Sequence, residues 1–145
     1  MGAGISPRER TSGSCANRPG NVFVYPHMSG AASDFLLAVA EPTRLRIVNC
    51  LAAAPLFVSD LQAILELPQP TVSRHLTVLR HAGIVRDTPV GQFVLYRLHR
   101  NARYERLLNA VLDGLANEDV MKSERQRAQE RSRSRTRTVL GRVTA

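Results

Sequence analysis

The sequence predicts a mainly α-helical domain with one small β-hairpin, an α+β fold, and three neighbouring stretches carry that prediction. Within Leu65–Gly83, Val72, Leu76 and Leu79 recur at helical spacing, so one face of a helix is apolar. Thr71, Ser73, Arg74, Thr77 and His81 line the opposite face. Just upstream, Val58, Leu61, Ile64 and Leu65 mark a shorter amphipathic helix, and Glu66–Gln69 between the two has room only for a tight turn. Just downstream, residues 84–87 and 93–98 read as strands joined by a turn at Pro89-Val90-Gly91-Gln92. Two short helices joined by a tight turn, the second polar on its outer face and followed by a hairpin, form the winged helix-turn-helix pattern.

Each element follows from local chemistry. Residues 1–30 are rich in Gly, Ser, Pro, Asn and Arg and are expected to be disordered. Met28-Ser29-Gly30 opens directly onto the first helix, which makes Met28 an alternative start, with residues 1–27 then untranslated. Met1–Ser6 also fits the myristoylation pattern, for which a DNA reader has no need. Ser33 or Asp34 can cap a first helix containing Phe35, Leu36, Leu37 and Val39. The second helix begins at Pro42. Leu45, Ile47, Val48, Cys50, Leu51 and Ala52 leave it little polar surface and make it the buried central helix. Arg44 and Arg46 near its start face either DNA phosphates or solvent. In the next helices Pro70 suits a first turn, where its missing N–H costs nothing, and Gly83 sits where a helix stops.

A further helix is expected over roughly Ala102–Leu115. Tyr104, Leu107, Leu108, Val111, Leu112 and Leu115 form its apolar stripe, which serves its own domain, a dimer seam, or both. Past Asn117 the apolar periodicity fades and arginines accumulate, alternating with Ser and Thr from Ser132 to Thr138. The helix is expected to run on to about Arg131 and then fray. The domain organisation is therefore a 1–30 segment, a 31–116 winged domain and a 117–145 basic tail, partly helical and then disordered.

The composition bounds the function. At 145 residues the chain holds one domain with tails, and its formal net charge of +8 favours an anionic partner, nucleic acid above all. A domain this small is marginal alone, and dimerisation relieves that. Two cysteines, Cys15 and Cys50, make no disulfide framework. No apolar run approaches the roughly 20 residues of a membrane span, and the N-terminus lacks a signal-peptide core, so a cytoplasmic protein is expected. Nothing supports an enzyme: there is no paired acid and base, no Gly-rich phosphate loop and no Cys–His constellation.

Three motifs are specific. Glu41-Pro42-Thr43-Arg44-Leu45-Arg46-Ile47 opens the second helix, Gln69-Pro70-Thr71-Val72-Ser73-Arg74-His75-Leu76 lies in the reading helix, and Leu79-Arg80-His81-Ala82-Gly83-Ile84-Val85 runs into the wing. Together they resemble the ArsR/SmtB family of winged helix-turn-helix repressors over roughly residues 31–115. The resemblance implies a DNA-binding transcriptional regulator, a repressor that excludes polymerase, working as a homodimer through its first and last helices.

Arg74 is the first candidate for reading bases, since its fork can bond guanine O6 and N7 together. Gln69 suits adenine or phosphate, whereas Ser73 and Thr71 reach only closely approached edges. The resemblance sets Gln69, Pro70, Ser73 and Arg74 at groove-facing positions within a recognition helix over 69–82. His75 lies nearer the apolar edge and is a structural candidate as well as a binding one. On the wing, Gln92 is expected in weak minor-groove contact, with Arg86 and Arg97 on phosphate.

Many members of the resembled family sense metals through a Leu-Cys-Val-Cys-Asp-Leu sequence. Here the matching residues are Leu56-Phe57-Val58-Ser59-Asp60-Leu61, with both thiolates replaced. The other family site uses Asp and His on the last helix, and 101–115 contains no histidine. No metal, no cofactor and no membrane partner are therefore expected. Cys50, where the family usually has an apolar residue, reads as a small buried hydrophobe rather than a redox sensor. Two alternatives stay open: a non-sequence-specific nucleic-acid binder driven by the basic tail, and a winged helix that binds proteins.

Overall fold

The computed structural model describes residues 30–100 and 104–143, leaving aside the side chains of residues 139, 140, 142 and 143. Helices α1 (Ala31–Val39) and α2 (Pro42–Ala53) are followed by strand β1 (Leu56–Phe57), then α3 (Val58–Leu65) and α4 (Gln69–His81). Strands β2 (Val85–Val90) and β3 (Phe93–Leu98) come next, then α5 (Glu105–Leu115) and α6 (Asp119–Val143). The expectations for residues 1–29, including the alternative start at Met28 and the myristoylation pattern, lie outside the described residues.

The core forms where α2, α3 and α4 meet. Ile47, Val48 and Cys50 of α2, Leu61 and Ile64 of α3, and Val72, Leu76 and Leu79 of α4 are all buried. α2 is the central helix its composition predicted. It starts at Pro42, and its N-cap Glu41 accepts a hydrogen bond from the Arg44 N–H at 2.8 Å. α1 corrects the sequence reading: its N-cap is Gly30, so Ser33 and Asp34 fall inside the first turn and neither caps it.

The tight turn between α3 and α4 is Glu66–Pro68, with Gln69 already helical. Glu66 takes the left-handed conformation (φ 57°) and the Leu67 N–H bonds the Gln62 carbonyl, which reverses the chain within one turn. α4 ends the same way. Gly83 has φ +73°, its N–H bonds the Arg80 carbonyl, and the Ile84 N–H bonds the Leu79 carbonyl.

The sheet has three strands, in the order β1-β3-β2, where the sequence showed two. β1 pairs antiparallel with β3 through Leu56↔Tyr96 and Phe57↔Leu95. β2 and β3 pair from Val85↔Leu98 out to Val90↔Phe93, so the turn is only Gly91-Gln92 and Pro89-Val90 belong to the strand. Proline is tolerated there because β2 is an edge strand. Gly91 at φ +60° supplies the conformation that so short a turn needs.

Past α5 the chain departs from expectation. The helix does not fray near Arg131: a break at 116–118 is followed by a second helix, continuous to Val143, that packs along α2 and α3. Met121 and Ala128 are its buried apolar residues among the described side chains, and Glu124 is buried beside them. The Arg46 Nε donates to Glu124 Oε1 at 2.8 Å, and the Asn49 amide donates to the Met121 carbonyl at 3.1 Å. Arg46 is therefore engaged with Glu124 across the α2–α6 joint, its side chain 31% exposed. Bonding to Glu124 raises its guanidinium pKa further, against the effect of partial burial. The 117–145 segment is an integral layer of the domain over its described length.

Candidate nucleic-acid interface

α4 offers a helix whose inner face is fixed and whose outer face is free. Val72, Leu76 and Leu79 anchor it in the core, while Gln69, Pro70, Arg74, Thr77 and Arg80 are exposed. Gln69 Nε2 donates to Ser73 Oγ at 2.9 Å, and Thr77 Oγ1 donates to the Ser73 carbonyl at 2.9 Å. The first turn thus presents an ordered polar row, with Thr71 half-buried at its side. Arg74 is exposed and makes no hydrogen bond or ion pair with any described residue, so its five donors stand available.

His75 is placed differently. Its ring turns inward, with Nδ1 3.6 Å from Glu41 Oε2 at the start of α2. Partial burial alone would raise the Glu41 carboxyl. The N–H groups of Arg44 and Thr43 and the nearby His75 outweigh it and hold the carboxyl below its ordinary range. His75 belongs to the joint between α2 and α4 rather than to the outer face. Arg44 also points inward, donating to the Ala38 and Leu37 carbonyls at the end of α1.

The wing residues divide. Gln92 at the tip shares a cavity of about 300 Å³ with Gln69, Ser59, Gln62, Phe93 and Val94, so the tip stands beside the start of α4. Arg86 and Arg97 are exposed and directly opposite each other near the wing base. They line a separate cavity with Arg100 and the end of α2, away from the α4 row. The opposite strand face carries Asp87, which pairs with Arg80 at 3.2 Å and ties β2 to α4. Sequence reasoning overlooked two exposed residues of this surface: Val78 on α4, and Phe93 at the wing tip, 63% exposed. The only sequence signal for Phe93 was its place at the start of an alternating strand.

At the start of α3, Asp60 Oδ2 accepts the Phe57 N–H at 2.9 Å. The Asp60 carboxylate also pairs with Arg135 and, at 3.6 Å, with Arg131 of α6. The Phe57 ring lies 4.2 Å from the Arg135 guanidinium, a cation–π contact. Arg127 caps the other end of α3, donating to the Ala63 and Ile64 carbonyls at 2.7 and 2.9 Å. Among the described residues no group of three His, Cys, Asp or Glu side chains is placed to hold a metal ion. Cys50 is buried, and desolvation pushes its thiol up to about 12.

A two-helix reading unit with an exposed second helix and an adjoining three-stranded wing defines a winged helix-turn-helix domain. Residues 41–87 match the sequence profile described as "Bacterial regulatory protein, arsR family". The chain is 38% identical over 89 residues to the biofilm growth-associated repressor of Agrobacterium fabrum, covering 59% of this chain and 75% of that one. It is 41% identical over 86 residues to the HTH-type transcriptional repressor SmtB of Mycobacterium tuberculosis, covering 59% of this chain and 61% of that protein. The chain belongs to the ArsR/SmtB family. It spans about three fifths of the SmtB repressor's length. The homodimeric winged helix-turn-helix DNA-binding domain Mb0332 of Mycobacterium bovis shares the fold, with a TM-score of 0.54 at 23% identity, covering 70% of this chain and 92% of that one.

Proposed function

We propose that this chain is a sequence-specific DNA-binding transcriptional repressor that works as a homodimer in the cytoplasm, without catalysis. The observation that carries the reading is α4: a helix locked into the core by Val72, Leu76 and Leu79, with Arg74 exposed and unpartnered above an ordered Gln69–Ser73 row. Such a helix fits the major groove, where an unengaged guanidinium can take both acceptors of a guanine. Gln69, Pro70, Thr71 and Ser73 serve the approach to bases and phosphates, and Gln92 the adjoining groove. Arg86 and Arg97 serve flanking backbone. His75 supports the helix from behind.

The dimer reading rests on apolar surface that the described fold leaves uncovered. Leu36 and Leu37 of α1 are 47% and 49% exposed, and Leu107 of α5 is exposed as well. Two copies joined there would carry their α4 helices to successive major grooves about 34–36 Å apart, so the operator should be an imperfect palindrome. No helix among the described residues is long and apolar enough to cross a membrane.

We also propose that thiophilic metals do not release this regulator from DNA. Phe57 and Ser59 replace the two thiolates of the family's metal-sensing sequence, and the Phe57 ring is occupied by Arg135. The experiment is selection of duplexes from random sequence, followed by band shifts on selected and scrambled duplexes with and without zinc. The reading expects a palindrome, at least ~10³-fold preference, and no effect of zinc. Equal binding to both duplexes would leave the non-specific reading, and zinc-dependent release would overturn the metal reading.

A further inference from the structure

α6 is held to the domain by a few buried side chains and by arginines bonded to α3, and its two halves are held unequally. The proximal half buries Met121, Glu124 and Ala128 against α2. Beyond Ala128 no described side chain of α6 is buried. The distal half is attached through Arg131 and Arg135, which share one acceptor, the Asp60 carboxylate, with the Phe57 ring beneath Arg135. Asp60 is only 9% exposed, whereas both arginines remain partly open to water. Salt weakens partly exposed ion pairs of this kind.

The direction of α6 matters as much as its charge. Arg127 meets the end of α3 at Ala63 and Ile64, and Arg135 meets its beginning at Asp60 and Phe57, so the two helices run antiparallel. The distal end of α6 therefore passes the start of α3. Phe57 there contacts Phe93 at the wing tip, ring centroids 6.0 Å apart, and lines the same cavity as Gln69 and Gln92. Arginines on that segment lie at the edge of the surface assigned to DNA. Held against Asp60, the two guanidiniums share one carboxylate and are fixed in place, so they offer a phosphate less than free ones would.

We propose that residues 131–138 of α6 form a reversible strap. Docked, Arg131 and Arg135 are held by Asp60 and withheld from nucleic acid. Released, they add backbone contacts beside the wing. Asp60 thus restrains non-specific affinity, and rising phosphate density competes the strap away from it. The inference rests on the DNA-binding reading above.

The test uses the full chain and a random-sequence duplex. Asp60→Asn keeps an oxygen for the Phe57 N–H and removes the charge that holds both arginines. Affinity for the random duplex should rise, and the log–log salt slope should steepen by about 0.9 for each phosphate newly neutralised, roughly 2 for the pair. Arg131→Gln with Arg135→Gln should change little in the native background, yet abolish the gain in the Asp60→Asn background. Phe57→Leu, which keeps Asp60 and apolar bulk, should give a smaller gain of the same sign and decides the matter if Asp60→Asn does not fold. An unchanged slope in Asp60→Asn and Phe57→Leu overturns the strap, as does an equal loss from the arginine pair in both backgrounds. A chain that selects an operator but shows no dependence on Asp60 or Phe57 removes the strap alone. A chain that binds no duplex in any form removes both readings.

Discussion

α4 and α6 both carry arginines on helical faces, and the fold treats them in opposite ways. On α4, Arg74 projects from a helix seated on the apolar Val72, Leu76 and Leu79, and no described residue pairs with it. On α6, Arg127, Arg131 and Arg135 are part of the attachment, bonded to carbonyls and a carboxylate of α3. Positive charge is therefore a poor guide to a nucleic-acid surface until the internal acceptors are counted. Arginine bonded within its own domain, as Arg80 is to Asp87, serves the fold, and an exposed arginine with no internal acceptor is left for a partner.

The sharpest way to break this comparison is Arg46→Ala. It strands Glu124 in the α2–α6 joint, and removing one partner of a buried ion pair costs about 3 kcal/mol. Urea denaturation should show that loss, and a cost below about 1 kcal/mol would mean α6 is a loosely laid layer. Arg74→Ala should do the reverse. Stability should stay within about 0.5 kcal/mol, while binding to the selected duplex weakens by about 1–3 kcal/mol and random duplex is nearly unaffected. Equal losses on both duplexes would put Arg74 on phosphate alone.

Gly83→Ala probes the end of α4. Open space surrounds the position, so only the left-handed backbone is strained, at about 1 kcal/mol in thermal or chemical unfolding. The smallest effect near neutrality concerns Cys50, which lies close to Glu124, Arg46 and Arg127 beneath α6. At pH 8 its thiol should resist alkylation in the native chain, as read by peptide mass, because it stays protonated and covered. Its raised pKa fixes the sign at higher pH. Cys50 contributes no pH dependence well below 9, and stability then falls as pH rises from about 9 toward about 12, where unfolding releases the thiol proton. Alkylation at pH 8 would show that α6 lifts away from α2.

The helix-turn-helix was legible because apolar periodicity and backbone chemistry agree there: Val72, Leu76 and Leu79 mark the inner face, and Gly83 ends the helix at a positive φ. β1 was not legible, since two residues have no periodicity and become a strand only when β3 supplies partners. The wing turn was placed too early because Pro89 reads as a turn residue, and only the sheet order reveals that β2 is an edge. α6 was misjudged for a deeper reason. Its inward stripe is Met121, Glu124, Ala128, Arg131 and Arg135, and a stripe built on ion pairs leaves no hydrophobic signature. The candidate interface was legible in residue type but not in direction: His75 turns inward, and Arg86 and Arg97 stand apart from the α4 row.

The two rungs of β1 tie the wing to the residues that lead directly into α3. The hairpin is therefore joined to the helix pair by sheet pairing as well as by the chain, which restrains its swing. One residue added to each strand would carry its tip outward by about 3.3 Å without changing its bearing on α4. On the proposed reading, the spacing between the base step facing α4 and the groove facing Gln92 is then a dimension set by the sheet, and the operator is expected to match it.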